Sequence, residues 1–219
     1  MNCMCGRYTF FNNIDSLKHS LDIDVIDENI FDHQASYNIA PTQHAPIIFQ
    51  DNKKRILKNM RWGLIPSWAK DDSYSSKLIN ARLETINVKP SFRNLISTNR
   101  CIVLANGYYE WLIVDNKKEP YFIYDRESSI TTMAGLWSTW EDITSFTIIT
   151  KKSDLSISHL HHRMPLIIQE ENIQHYLDTN NTIDNFIEYD DMKLKYHQVS
   201  NFVNSPKNNS ASCIDPLEK

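Results

Sequence analysis

The sequence predicts one α+β domain with a mostly antiparallel sheet. Short β-prone runs recur along the 219 residues, turn-forming clusters separate several of them, and no strand–helix–strand alternation appears. Taken in chain order, Ile14 to Leu21 reads as a helix, with apolar positions at Ile14, Leu17 and Leu21. Ala45–Phe49 reads as a strand, and the cluster Asp51-Asn52-Lys53-Lys54 that follows suits a hairpin turn. Cys101–Leu104 and Tyr121–Tyr124 are the next strands, divided by a second turn cluster, Asp115-Asn116-Lys117-Lys118. Phe146–Thr150 and Met164–Ile168 follow. Glu171–Leu177 and Thr182–Tyr189 read as short helices, and the polar stretch Asn204–Ser210 as a loosely held tail.

Composition narrows the function only a little. A net charge of −4 argues against a protein coated in positive charge, while leaving room for a local basic groove. No apolar run approaches the roughly 18 residues a membrane span needs. The chain start lacks a basic-then-apolar leader, and the cysteines Cys3, Cys5, Cys101 and Cys213 lack a disulfide-scaffold spacing, which favours a reducing, intracellular setting. With only 4 glycines there is no Gly-rich phosphate loop.

Unusual residues gather in short stretches. Arg61–Trp68 holds two tryptophans, a glycine and a proline; Asn80–Thr85 mixes an amide, a guanidinium and a carboxylate. Asn106–Trp111 sets Glu110 between aromatic residues, and His159–Pro165 packs three histidines beside an arginine. Each has an ordinary explanation. Tryptophans serve cores as readily as base-stacking platforms. Glu110 either faces water or points inward among aromatics, where desolvation raises its pKa and suits it to proton transfer. In an extended segment His161 and His162 would point to opposite faces. Arg7, Arg82 and Arg163 are by default solvated or structural charges.

Together these stretches resemble the SRAP family, named for an SOS-response-associated peptidase and understood as sensors of abasic DNA. The likeness runs almost end to end: Met4-Cys5-Gly6-Arg7-Tyr8, Tyr37–Pro41, Trp62–Pro66, Asn80–Thr85, Gly107–Trp111, His161–Pro165 and Val199–Asn204. It implies a barrel-like β core flanked by short helices, a groove for single-stranded DNA, and a covalent bond from Cys5 to an abasic site. The resemblance assigns catalysis to Cys5, Asn80, Glu110 and His161, and DNA contact to Gly6, Arg7, Pro41, Trp68, Arg82 and Thr150. The expected setting is cytoplasmic, joining the nucleoid when bound to DNA; the chain is taken as a monomer by default, with no cofactor and no metal.

The chemistry explains these residue types. An α-amine, with a pKa of about 7.7–8.0, is partly neutral at pH 7 and attacks an aldehyde; a thiol two carbons away then closes a five-membered thiazolidine. An internal cysteine lacks that amine. Residues 1–4 are therefore read as a leader, removed or not translated, and 5–219 as a single domain. Cys3 is the rival nucleophile but lacks the following Gly-Arg. Three other readings compete: a cysteine peptidase using Cys5 and His161, either self-processing or general; a zinc site of Cys3, Cys5 and the histidines, whose spacing is not that of a common closed site; and a plain single-strand binding module, whose complexes would vanish under denaturing conditions.

Overall fold

A computed structural model describes residues 6–30, 34–183 and 194–217. Its strands are β1 Tyr8–Phe10, β2 Val25–Ile26, β3 Ser36–Ile39, β4 His44–Asp51, β5 Lys54–Trp62, β6 Asn80–Arg82, β7 Arg100–Ala105, β8 Gly107–Val114, β9 Lys117–Asp125, β10 Thr131–Trp140, β11 Ile143–Lys152, β12 Arg163–Pro165 and β13 Leu194–Gln198. The α-helices are α1, Ile14–Ser20, and α2, Ile173–Leu177. The helix expected over Thr182–Tyr189 falls largely on residues outside those described.

Tight hairpins set the two longest registers, β4–β5 and β8–β9. At the β4–β5 turn Asn52 and Lys53 take φ of 47° and 65°, and at β8–β9 Asp115 and Asn116 take 48° and 62°. Positive φ at both central residues is the type I′ signature, whose twist matches that of the flanking strands. The second turn pairs Val114 with Lys117 and so places Tyr121 directly across from Glu110.

The strands form two sheets. One has the order β13-β9-β8-β1-β3; the other runs β12-β11-β10-β7-β4-β5-β2. The second curls until β5 meets β11 in parallel at Arg61–Ser145 and Trp62–Phe146, closing β11, β10, β7, β4 and β5 into a ring. Beyond that contact β6 takes over the same edge of β11, pairing Asn80 with Ile148 and Arg82 with Thr150. The barrel-like core expected from the sequence is this ring, and the other sheet is an addition to it. The run expected over 164–168 is a strand only to Pro165, with Ile167 bridging singly to Met133.

Alternation along β8 separates two cores. Tyr108 belongs to the main cluster with Tyr8, Trp62 and Phe146, whereas Tyr109 lies in a smaller one with Phe122, Val199, Val203 and Cys213. The tail is therefore not loosely held. Asn38, which is buried, donates through Nδ2 to the carbonyls of Val203, Ser205 and Asn208 at 3.1, 3.0 and 2.7 Å. Asn209 Oδ1 accepts from the Tyr37 amide at 2.7 Å, and Trp111 Nε1 donates to Asn204 Oδ1 at 2.7 Å. Polar residues look like a free tail in sequence, but here they satisfy the edge strand β3 and cover the aromatic face of β8.

Candidate active site

The site lies where the two sheets meet. Glu110, on the Tyr108 side of β8, is only 2% exposed. This selects the inward of the two orientations open in the sequence. His161 approaches it from the turn before β12, with Nδ1 at 3.9 Å from Glu110 Oε1. The same Nδ1 lies 3.2 Å from the Arg163 amide and 3.1 Å from the Arg163 carbonyl, so the tautomer decides which contact is a hydrogen bond. Among the described residues, His161 Nε2 is buried with no hydrogen-bond partner. Burial holds the imidazole below its ordinary pKa, partly opposed by the Arg163 backbone contact, with His162 and Arg163 depressing it further. The ring is therefore neutral near pH 7 and suited to accept a proton.

The turn carrying His161 is tightly braced. Lys151 Nζ pairs with Asp154 Oδ1 at 3.0 Å, the Ser153 amide donates to His162 O at 3.1 Å, and the Asp154 amide lies 3.4 Å from Met164 Sδ. The chain bends at His162, so the rings of His161 and His162 sit 4.4 Å apart instead of on opposite faces, and only His161 is turned into the protein.

Arg163 ties the surrounding elements together. It forks onto Glu84, with Nη1 to Oε1 and Nη2 to Oε2 at 2.9 Å, and Nη2 also donates to the Thr150 carbonyl at 2.6 Å. The fork holds the Glu84 carboxyl below the usual carboxylate range. Registers place Asn80, Arg82, Thr150 and Arg163 on one face around β11, the face from which His161 reaches toward Glu110. Asn80 is half-buried there and Arg82 is exposed.

The remaining expected residues are more scattered. Thr150 is fully buried, and its hydroxyl lies against Ala81 O and Arg163, so it supports the site from beneath. Trp68 is 53% exposed, with its ring edge-on to Tyr74 at 5.5 Å. Pro41 sits within the Ala40–Gln43 turn, which is stitched to the same region because the Thr42 amide donates to Trp62 O at 2.8 Å. Gly63 positions the segment between Trp62 and Trp68. Its φ is 116°, and a Cβ there would lie 2.1 Å from Ser75 O. Arg7 turns to the opposite face of β8 from Glu110, where Nη1 donates to Asn38 Oδ1 at 2.7 Å and Val203 O at 3.0 Å, with the guanidinium 5.9 Å from the Trp111 ring centre. Gly6 is half-buried beside it. Cys3, Cys5 and the leader residues 1–4 lie outside the described residues.

Sequence reasoning missed the clamp of Arg163, the role of Asn38, and Tyr121 beside Glu110. The last was open to detection, since a two-residue turn at Asp115-Asn116 fixes that pairing by counting.

Fold and site thus define a class: a two-sheet β protein with a carboxylate and a neutral histidine facing each other across the seam. The chain belongs to the SRAP family, whose model, described as SOS response associated peptidase (SRAP), matches residues 4–206. It is 39% identical to Abasic site processing protein YoqW of Bacillus subtilis (strain 168), over 97% of this chain and 99% of that one. Similarity extends to vertebrates. Abasic site processing protein HMCES of Gallus gallus is 34% identical over 85% of this chain and 67% of its own length. A crystal structure of a protein from Bacteroides thetaiotaomicron superposes with a TM-score of 0.81 at 26% identity, covering 99% of both chains. Among the described residues no helix is long and apolar enough to cross a membrane.

Proposed function

We propose that this protein captures abasic sites in single-stranded DNA by covalent attachment through Cys5. The observation that carries the reading is the buried His161 ring, with Nε2 unpartnered among the described residues and Nδ1 3.9 Å from the buried Glu110 carboxylate. An acid–base pair so placed has a use in opening a sugar hemiacetal, and the relatives are named abasic site processing proteins.

The reaction proceeds in three steps. Neutral His161 accepts the proton of the C1′ hydroxyl while the ring C–O bond breaks, which yields an aldehyde and, after protonation, the C4′ hydroxyl. The Cys5 amine adds to the aldehyde carbon and water leaves, forming an imine. The Cys5 sulfur adds to the same carbon as its proton passes to nitrogen, closing the thiazolidine with a net loss of one water. Glu110 relays protons during dehydration and its reversal. Asn80 holds the sugar hydroxyl as a neutral group, and Arg82, exposed on the same face, neutralises a flanking phosphate, whereas Arg7, engaged by Asn38 on the far face of β8, takes no part in it. Trp68 presses on a neighbouring base.

This mechanism requires Cys5 to be the first residue. The functional start is Met4 with removal of that methionine, or residues 1–4 are cleaved by the protein itself. Acetylating the amine of a Cys5-first protein separates the mechanism from thiol-only peptidase chemistry. Denaturing electrophoresis with an abasic oligonucleotide should show a crosslink that acetylation abolishes. A crosslink that survives acetylation would contradict the aminothiol mechanism.

A further inference from the structure

Beside the acid–base pair lies an aromatic wall that the chemistry above does not use. Tyr121 stands directly across β8–β9 from Glu110 and shares its face. Tyr196 on β13 pairs with Ile123, two residues along β9, so it lies on that face too. The rings of Tyr121 and Tyr196 are 6.1 Å apart, and His159, two residues before His161, meets Tyr196 edge-on at 5.0 Å. Ring contacts thus link Tyr121, Tyr196 and His159, with Tyr121 paired across from Glu110 and His159 two residues from His161. Tyr196 remains 41% exposed and His159 is exposed, so this cluster presents aromatic surface to solvent.

We infer that Tyr196, backed by Tyr121 and His159, is a stacking seat for the nucleobase flanking the abasic sugar, on the opposite flank from Trp68. Topology sets the two apart. The loop bearing Trp68 leads into β6 on one side of β11, whereas the turn bearing His159 leads into β12 on the other. A sugar between Asn80 and Glu110 would thus have an exposed aromatic on each side. Stacking is indifferent to base identity, as a lesion found in any sequence demands. The inference rests on the proposed function in taking single-stranded DNA as the ligand and in seating the abasic sugar between Asn80 and Glu110.

The test uses equilibrium binding of short single-stranded oligonucleotides carrying a tetrahydrofuran abasic analogue, which cannot crosslink. A second tetrahydrofuran replaces the base on the 5′ side or on the 3′ side. For the wild type, each replacement should weaken binding by at least about fivefold. Tyr196→Ala should abolish the penalty on one side only, Trp68→Ala should abolish it on the other, and Tyr196→Phe should keep both. If Tyr196→Ala retains both wild-type penalties, or if the wild type shows none, the seat does not exist. Crosslinking to a natural abasic site is scored separately. A protein that fails to crosslink, yet loses one flank's penalty on Tyr196→Ala, would refute the covalent mechanism and leave the seat standing.

Discussion

His161 Nδ1 stands 3.9 Å from Glu110 Oε1, joining the turn before β12 to the second sheet. An imidazolium there would gain from the carboxylate, yet burial acts more strongly and keeps the ring's pKa below its ordinary value of 6.5.

The first expectation concerns acid. Because the folded protein resists protonating His161, the unfolded chain takes that proton first as pH falls below about 6.5, and stability is lost from there down to the folded pKa. Urea unfolding at pH 7.5 and 5.5 should show a larger fall in midpoint for wild type than for His161→Gln. An NMR titration should place His161 below the ordinary histidine range.

A second concerns the clamp. Arg163→Ala would strip the Thr150 carbonyl and hydroxyl of a buried donor and should cost about 2–4 kcal/mol in chemical denaturation. Arg163→Lys should recover only part, because an ammonium lacks the fork. Glu84 is half exposed, so Glu84→Gln should cost less than about 1 kcal/mol. Its contribution is present above the unfolded pKa of about 4.3 and is lost as pH falls through the lower folded value.

The tail gives a third. Asn38→Ala removes one side chain that holds three carbonyls and also receives Arg7. Loss of about 2–3 kcal/mol is expected, with faster amide exchange at Asn208 and Cys213, whose amides donate to Ser205 O and Ser210 O. Unchanged exchange at those amides would mean that the tail is held elsewhere.

Gly63→Ala is the fourth. The positive φ and the near approach of Ser75 O leave no place for a methyl group, so the backbone must move. Destabilisation above about 2 kcal/mol is expected, measured by thermal unfolding.

Much of this was legible in the sequence because local chemistry dictates it. The turn clusters at 51–54 and 115–118 became hairpins, and the apolar runs at 45–49, 101–104 and 146–150 became ring strands, while that at 121–124 went to the other sheet. Other features depend on partners distant in the chain. The closure of β5 onto β11 rests on a two-residue parallel contact that no local pattern announces. The tail read as loose because Asn204, Asn208 and Asn209 find their partners around Asn38 and Trp111, far back in sequence. Glu110 was ambiguous from alternation alone, since both faces of its sheet are covered. The motif residues of the site were visible as types; the bracing by Arg163, Lys151 and Asp154 was not, because charged side chains are usually at the surface.

The most direct measurement is the intact mass, under denaturing conditions, of protein expressed from its own gene and mixed with single-stranded DNA bearing one abasic site. The account predicts a protein beginning at Cys5 that gains the oligonucleotide's mass less one water. A protein that begins at Cys5, is correctly folded, and gains no mass would contradict it.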